Sequence, residues 1–318
     1  MSILVVGASG FIGRHFIKQL QDDDAISVIA ASRHLQPDFH PSIKQLQLPT
    51  LFEELLDDDL DKMLDGVTCV YHLAAATPHA LAHGNDIARL AALKANVDMP
   101  LFFARAAKQR GVGRFVYVSS CGVYGSVSRV LPFNELSPLS PHDRYTASKI
   151  SAEKLLTLSE SECPDLTIVR PPSVYGPGGK DAISLLVRLV YRGIPLPLGQ
   201  VTTNRKRFIG VRNFTHFLRH VSLHPQGARN DFLVCDSETV STKEFISLVM
   251  QASGTKNWLL PVPLSLMTAA ANLPGLRRPI EILTGNFDID DQKARTVLGW
   301  QPPYSMLEEL KYTVGSSN

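Results

Sequence analysis

Residues 3–13 read ILVVGASGFIG, and the reading of this stretch decides the fold. ILVV (3–6) is a short, unbroken run rich in β-branched residues, the texture of a strand buried on both faces. Gly7, Gly10 and Gly13 follow as G-x-x-G-x-x-G, leading into a helix-like stretch at 11–21. Glycines so placed permit a tight turn, let backbone N–H groups approach a pyrophosphate and allow close packing of helix on strand. The phosphates would then sit at the positive end of the next helix. An ordinary strand-turn-helix needs none of these glycines. The loop therefore predicts a dinucleotide site built from Gly7, Ser9, Gly10, Phe11, Ile12 and Gly13.

Outward from the loop, the texture repeats. Strand-like runs recur at 26–32, 43–48, 67–73, 114–120 and 166–170, with helical stretches at 86–110 and 143–160. Repeated β-α-β predicts an α/β fold, a Rossmann-type doubly wound parallel sheet. After Arg170, proline and glycine crowd 171–179 and 193–199, and one further strand shows in DFLVCD (231–236). The expected organisation is a dinucleotide-binding domain of residues 1–170, with a return strand in about 205–240. Residues 171–204 and 241–318 then form a smaller C-terminal substrate-binding lobe.

The second strand ends at Ser32, Arg33 and His34. A carboxylate there would bind the ribose hydroxyls of NAD, whereas an arginine suits a 2′-phosphate. Arg33 thus favours NADP(H), with NAD(H) as the alternative. The fifth strand runs into VSSCGVYG (118–125), which sets Ser119 and Ser120 at the carboxyl edge of the sheet, where ligands of such sheets bind. In RYTASK (144–149), Tyr145 and Lys149 stand four apart and share one helix face. A lysine beside a tyrosine can lower the phenol's pKa, so the pair suits acid/base work.

Of the 318 residues 44% are hydrophobic and 19% charged, and the net charge is +2. That is an ordinary globular composition, with no basic run to recruit nucleic acid. Cys69, Cys121, Cys163 and Cys235 lack metal-ligand spacing and read as free thiols of a reducing compartment, here the cytoplasm. No metal is expected. A strand-like run as early as Ile3 leaves no room for a signal peptide. WLLPVPLSLMTAAANLPGL (258–276) is apolar but broken by Pro261, Pro263 and Asn272, which argues against a spanning helix. A buried hairpin or ligand lid is expected there; contact with a membrane surface, helped by Arg277 and Arg278, is the lesser reading.

Taken together, the motifs carry a resemblance. GASGFIG, HLAAATP (72–78), Asn96, VSSCGVYG, YTASK, RPPSVYGPGG (170–179), PLPLG (195–199), RKRFIGVRN (205–213) and LGWQPP (298–303) span nearly the whole chain. It resembles an extended short-chain dehydrogenase/reductase of the NAD-dependent epimerase/dehydratase family. The resemblance implies that Leu73, Ala74, Ala75 and Pro172 line the cofactor with the glycine loop, Tyr145 and Lys149. It implies Ser120 as the substrate-orienting hydroxyl, Tyr145 as the acid/base, Lys149 as the ribose-binding cation, and Asn96 as a support for a water or for the helix geometry. Cys121 and Lys206 would join Ser120 and Tyr145 around the substrate. Within the family the chain looks most like bacterial nucleotide-sugar 4-ketoreductases and 4-epimerases, which act on UDP-linked sugars. It departs from them at Lys180, Asp181 and Ala182, at Lys206 in place of an arginine, and in IEILTGNF (280–287), which lacks a diphosphate-holding arginine. Two other readings stay open: an NADPH-dependent reductase of a small free ketone or aldehyde, and a cofactor-binding regulator without catalysis. The two long helices are expected to pair into a homodimer through a four-helix bundle, as in similar proteins.

Overall fold

The computed structural model describes residues 1–315 apart from 22, 24, 83, 84, 128–130, 257 and 274, and apart from the side chain of residue 79. Among the described residues nine strands are formed: β1 Ser2–Val6, β2 Ser27–Ser32, β3 Lys44–Gln47, β4 Cys69–His72, β5 Arg114–Val118, β6 Asp165–Arg170, β7 Val174–Tyr175, β8 Ile209–Gly210 and β9 Asn230–Leu233. The helices are α1 Phe11–Leu20, α2 Asp57–Leu64, α3 Pro78–Ala82, α4 Asp86–Gln109, α5 Arg144–Leu158, α6 Ala182–Tyr191, α7 Val211–Leu223, α8 Thr242–Ser253, α9 Leu264–Ala270, α10 Arg277–Thr284, α11 Gln292–Leu298 and α12 Met306–Gly315.

The chain divides into two compact units. The first takes Met1–Val123, Leu139–Arg170 and Thr215–Phe232; the second takes Tyr124–Pro138, Pro171–Phe214 and Leu233–Asn318. A seven-stranded sheet has the order β3-β2-β1-β4-β5-β6-β9. β1 pairs in parallel with both β2 and β4, so Val5 lies beside Ala30 on one side and Tyr71 on the other. The strand order reverses between β1 and β4, and open α/β sheets take ligands beyond the carboxyl ends of the strands at such a point. Leu4, Val6, Val70, Phe115 and Ile168 of the strands meet Phe103 and Ala107 of α4 and Leu156 of α5 in the first unit's core. Strands buried on both faces must be apolar throughout, and this is why ILVV shows no alternation.

In the second unit, β7 and β8 form a two-stranded parallel sheet. Its core gathers Tyr175, Leu186, Phe208, Phe245, Met306 and Leu310. Asp236 pins this unit from within. It accepts from Tyr175 Oη at 2.7 Å, Asn213 Nδ2 at 2.7 Å and the Gly210 N–H at 3.1 Å.

The stretch 258–276 is not the buried hairpin that its composition suggests. Met267 alone among its described residues is buried. Two prolines at 261 and 263 keep the chain extended, so α9 has only seven residues and seats one side chain. Among the described residues no helix is long and apolar enough to cross a membrane.

Candidate active site

The glycine loop is shaped by what surrounds it. Gly7 has φ +91°, a conformation that disfavours side chains. A Cβ on Gly7 would stand 2.5 Å from the Ala74 nitrogen; one on Gly13 would stand 2.4 Å from the Gly7 carbonyl oxygen and 2.8 Å from Ala8 Cα. The N–H groups of Gly7 and Ala8 both donate to the Ala31 carbonyl, at 2.9 and 3.3 Å, and fasten the loop to the end of β2. Gly10 caps α1 without any side-chain hydrogen bond, and the first turn of α1 has no acidic residue. Free N–H groups at a positive helix end, reached across bare glycine backbone, fit a pyrophosphate. The residues present therefore suit a dinucleotide. Leu73, Ala74 and Ala75 follow β4 directly beside this loop, with the Leu73 N–H bonded to Val6 O at 2.9 Å.

On the neighbouring edge, β5 hands over to Ser119 and Ser120. Ser120 Oγ accepts the Gly122 N–H at 3.1 Å, which leaves its own proton free to donate outward. A point beside Gly122 lies 3.3 Å from Ser120 Oγ and 3.0 Å from the Thr146 side chain, so the serine and the start of α5 come together there. A capping box sets that start: Asp143 Oδ1 accepts from Thr146 N at 2.8 Å, and Thr146 Oγ1 accepts the Asp143 N–H at 3.1 Å. Tyr145 sits in the first turn so fixed. One turn on, Lys149 Nζ donates to Val118 O at 2.9 Å and lies 4.7 Å from the centre of the Tyr117 ring.

Electrostatics separate the pair. Burial, then the Asp143 carboxylate, push the Tyr145 phenol up to about 12, rather than down as its spacing from a lysine suggests. The Lys149 ammonium is engaged with Val118 O, and both causes of the Tyr145 shift, burial and the Asp143 carboxylate, raise it. Burial in turn holds Lys149 down to about 7, against the Glu153 carboxylate, which raises it. His72 lies in the same layer among the Phe103, Phe115 and Tyr117 rings, and burial, then the Lys149 charge, hold it down to about 3, so it is neutral.

Glu153 belongs to a buried ionic chain that sequence reasoning missed. Arg170 Nε and Nη2 donate to its two carboxylate oxygens at 3.0 and 2.8 Å, and Arg170 Nη1 reaches Asp231 at 2.6 Å. One signal was available, since Lys149 and Glu153 stand four apart on one helix face.

Asn96 is fully committed. Its Oδ1 accepts the Ala76 N–H at 2.6 Å, while Nδ2 donates to Ala76 O at 3.1 Å and Ser148 Oγ at 3.0 Å. It braces α4 against the loop after β4 and against α5, the helix-supporting half of its expected role. The Cys121 thiol is turned inward and donates to Arg170 O at 2.9 Å, so only its backbone is left for a substrate. Arg33 stands exposed two residues beyond Ala31 and makes no ion pair among the described residues.

Pro172 and Lys206 lie in the second unit, both buried. Lys206 exchanges backbone hydrogen bonds with Val240 at 2.8 and 3.0 Å, and burial holds its ammonium down to about 8. Of the basic residues expected to replace diphosphate contacts, three are already paired. Arg205 binds Asp288 at 2.8 Å, Arg207 binds Asp291 at 3.3 Å, and Arg277 binds Glu281 at 2.9 Å. Lys206 has no ion-pair partner among the described residues.

Residues 3–235 match the family model described as NAD dependent epimerase/dehydratase family. The UDP-glucose 4-epimerase of Vibrio cholerae is 32% identical over 98% of this chain and 94% of its own length. The GDP-6-deoxy-D-mannose reductase of Pseudomonas aeruginosa is 32% identical over 78% of each chain. In fold, the UDP-glucose 4-epimerase of Thermotoga maritima, solved with UDP-glucose, superposes with a TM-score of 0.78, at 21% identity over 100% of this chain and 98% of the other.

Proposed function

The chain belongs to the NAD-dependent epimerase/dehydratase family, and from that premise we propose that it reduces or epimerises a sugar carbon through a keto group while the sugar is carried on a nucleoside diphosphate. The observation that supports this reading is that Ser120 and the first turn of α5, the helix that bears Tyr145 and Lys149, meet at the sheet edge. A bound nicotinamide supplies or accepts the hydride at the sugar carbon. Ser120 donates its free O–H to the carbonyl oxygen. Tyr145 gives its proton to the same oxygen, and its high pKa keeps that proton in place until negative charge develops. Lys149 would hold the cofactor's ribose and offer its charge to the phenolate left behind. In the reverse direction the phenolate takes the hydroxyl proton.

Within the second unit, taken by itself, Lys206 is the candidate cation for a diphosphate. Arg33, exposed and without an ion pair, supports NADP(H) over NAD(H). A cofactor that exchanges in this way favours a reductase over an epimerase. The four cysteines are buried thiols outside any disulfide, which suits the cytoplasm, and α4 and α5 supply a homodimer face.

The reading is tested by a thermal-shift panel of UDP-, dTDP- and GDP-sugars with NADPH, followed by turnover of whatever binds. A native-state ligand at about a hundred times its Kd adds about 2.7 kcal/mol, a shift of several degrees. A UDP-linked sugar is expected to give that shift and to be converted. If no nucleotide sugar binds while a small free ketone consumes NADPH, the diphosphate reading is lost.

A further inference from the structure

The second unit carries a surface element that the chemistry above does not use. Its first residues, Trp258 to Leu260, are tied to the chain at 196–199. The Leu196 N–H bonds Trp258 O at 3.0 Å, the Leu260 N–H bonds Leu196 O at 2.8 Å, and the Gly199 N–H bonds Leu260 O at 3.0 Å. On the inner side Met267 is buried, with Leu259, Val262 and Ile280 packed against the core. An ordinary surface hairpin would spend its apolar residues there and show water a polar face.

This one shows a second apolar set. Trp258 is 74% exposed, Leu266 61% and Leu273 57%, and Leu260, Leu264 and Leu276 are exposed beside them. Of the 21 exposed large hydrophobic side chains among the described residues, these six fall within nineteen consecutive positions, so the exposure is concentrated rather than scattered. The charge is one-sided. Residues 254–280 contain no Asp or Glu, whereas Lys256, Arg277 and Arg278 are all exposed, and Glu281 just beyond pairs with Arg277.

A tryptophan and leucines flanked by lysine and arginine match the boundary between headgroups and acyl chains of an anionic bilayer. A second copy of the chain fits less well, because a two-fold contact through this patch would set its cations against themselves. We propose that the α9–α10 surface seats the protein reversibly on anionic phospholipid membranes. It lies in the interface and does not cross it. The leucines and Trp258 enter the acyl boundary, and Lys256, Arg277 and Arg278 meet lipid phosphates.

The test uses the full chain with sedimentable vesicles of phosphatidylcholine alone, or containing about 30% phosphatidylglycerol. Binding is expected on the anionic vesicles and is expected to weaken in high salt, where surface charge is screened. Trp300, the other tryptophan, is 1% exposed, so a blue shift of emission, or quenching by brominated lipid, reports Trp258. Leu266→Asp with Leu273→Asp should lower the membrane-bound fraction roughly tenfold or more, with an unchanged thermal midpoint. Arg277→Gln with Arg278→Gln should remove the preference for the anionic vesicles. The proposal fails if the wild type neither sediments nor shifts its emission. It also fails if those leucine substitutions instead abolish a self-association seen without lipid, which would make the patch a contact between copies.

Discussion

In the proposed reaction Tyr145 and Lys149 divide one task, and substitutions should separate their parts. Tyr145→Phe keeps the ring and removes the proton, so turnover should fall by about 10²–10⁴-fold while calorimetric cofactor affinity stays within twofold or so. Lys149 gives a prediction about pH. Its folded value is held to about 7 against an ordinary 10.5. Between these values the unfolded chain binds a proton that the folded chain has released, so stability rises with pH across that window. Below about 7 the folded chain carries the buried ammonium and its full cost. Urea midpoints measured near pH 7 and near pH 9.5 should rise more for the wild type than for Lys149→Met. Equal changes in the two proteins would show that the ammonium is not desolvated. Arg33 sets a third expectation. A charge-assisted contact to a 2′-phosphate is worth about 1.5–3 kcal/mol, roughly a ten- to hundredfold preference for NADPH over NADH. Titration of both into wild type and Arg33→Ala should show that ratio collapse.

At the scale of elements, the glycine loop is where a methyl group decides most. In Gly13→Ala the new Cβ would meet the Gly7 carbonyl and Ala8 Cα, both backbone, neither able to give way. The cost should be about 1–3 kcal/mol of stability, with cofactor binding lost. Gly111 also has φ above zero (+73°) but nothing within 4 Å of its missing Cβ. Gly111→Ala should cost about 1 kcal/mol and leave cofactor affinity unchanged. Differential scanning fluorimetry with and without cofactor checks both. This loop was legible in the sequence because glycine spacing and flanking texture are local. So were α4, whose start Asn85 caps by accepting the Ala88 N–H at 2.8 Å, and α5 with its Asp143–Thr146 box. The chain beneath Lys149 was not legible. Helical spacing places Glu153 on the face of Lys149, but its partner Arg170 comes from β6 and meets it only after the sheet has formed. The region 258–276 misled for the opposite reason, since apolar composition does not distinguish a side chain that packs, such as Met267, from one that faces water, such as Leu266.

For the whole molecule, the expectation is a dimer through the first unit. α4 leaves Ile87 and Leu90 exposed and α5 leaves Leu158 exposed, with Met99 and Phe102 half-buried between core and surface. Helices of this kind pair at about 20°. Sedimentation velocity at micromolar protein should give a dimer, and Ile87→Asp with Leu90→Asp should give a folded monomer. A wild-type monomer at that concentration would remove α4 as the interface. The join between the glycine loop and β2 has a consequence for descent. The Ala31 carbonyl holds the Gly7 and Ala8 N–H groups inside the fold, while two residues later the Arg33 side chain is exposed and supports no neighbour by ion pairing among the described residues. Folding constrains the first position and is indifferent to the second. If Arg33 selects the cofactor as proposed, a lineage descended from this sequence can move between the biosynthetic and the catabolic nicotinamide pools by changing residue 33, with no prior gain in stability to make the change tolerable.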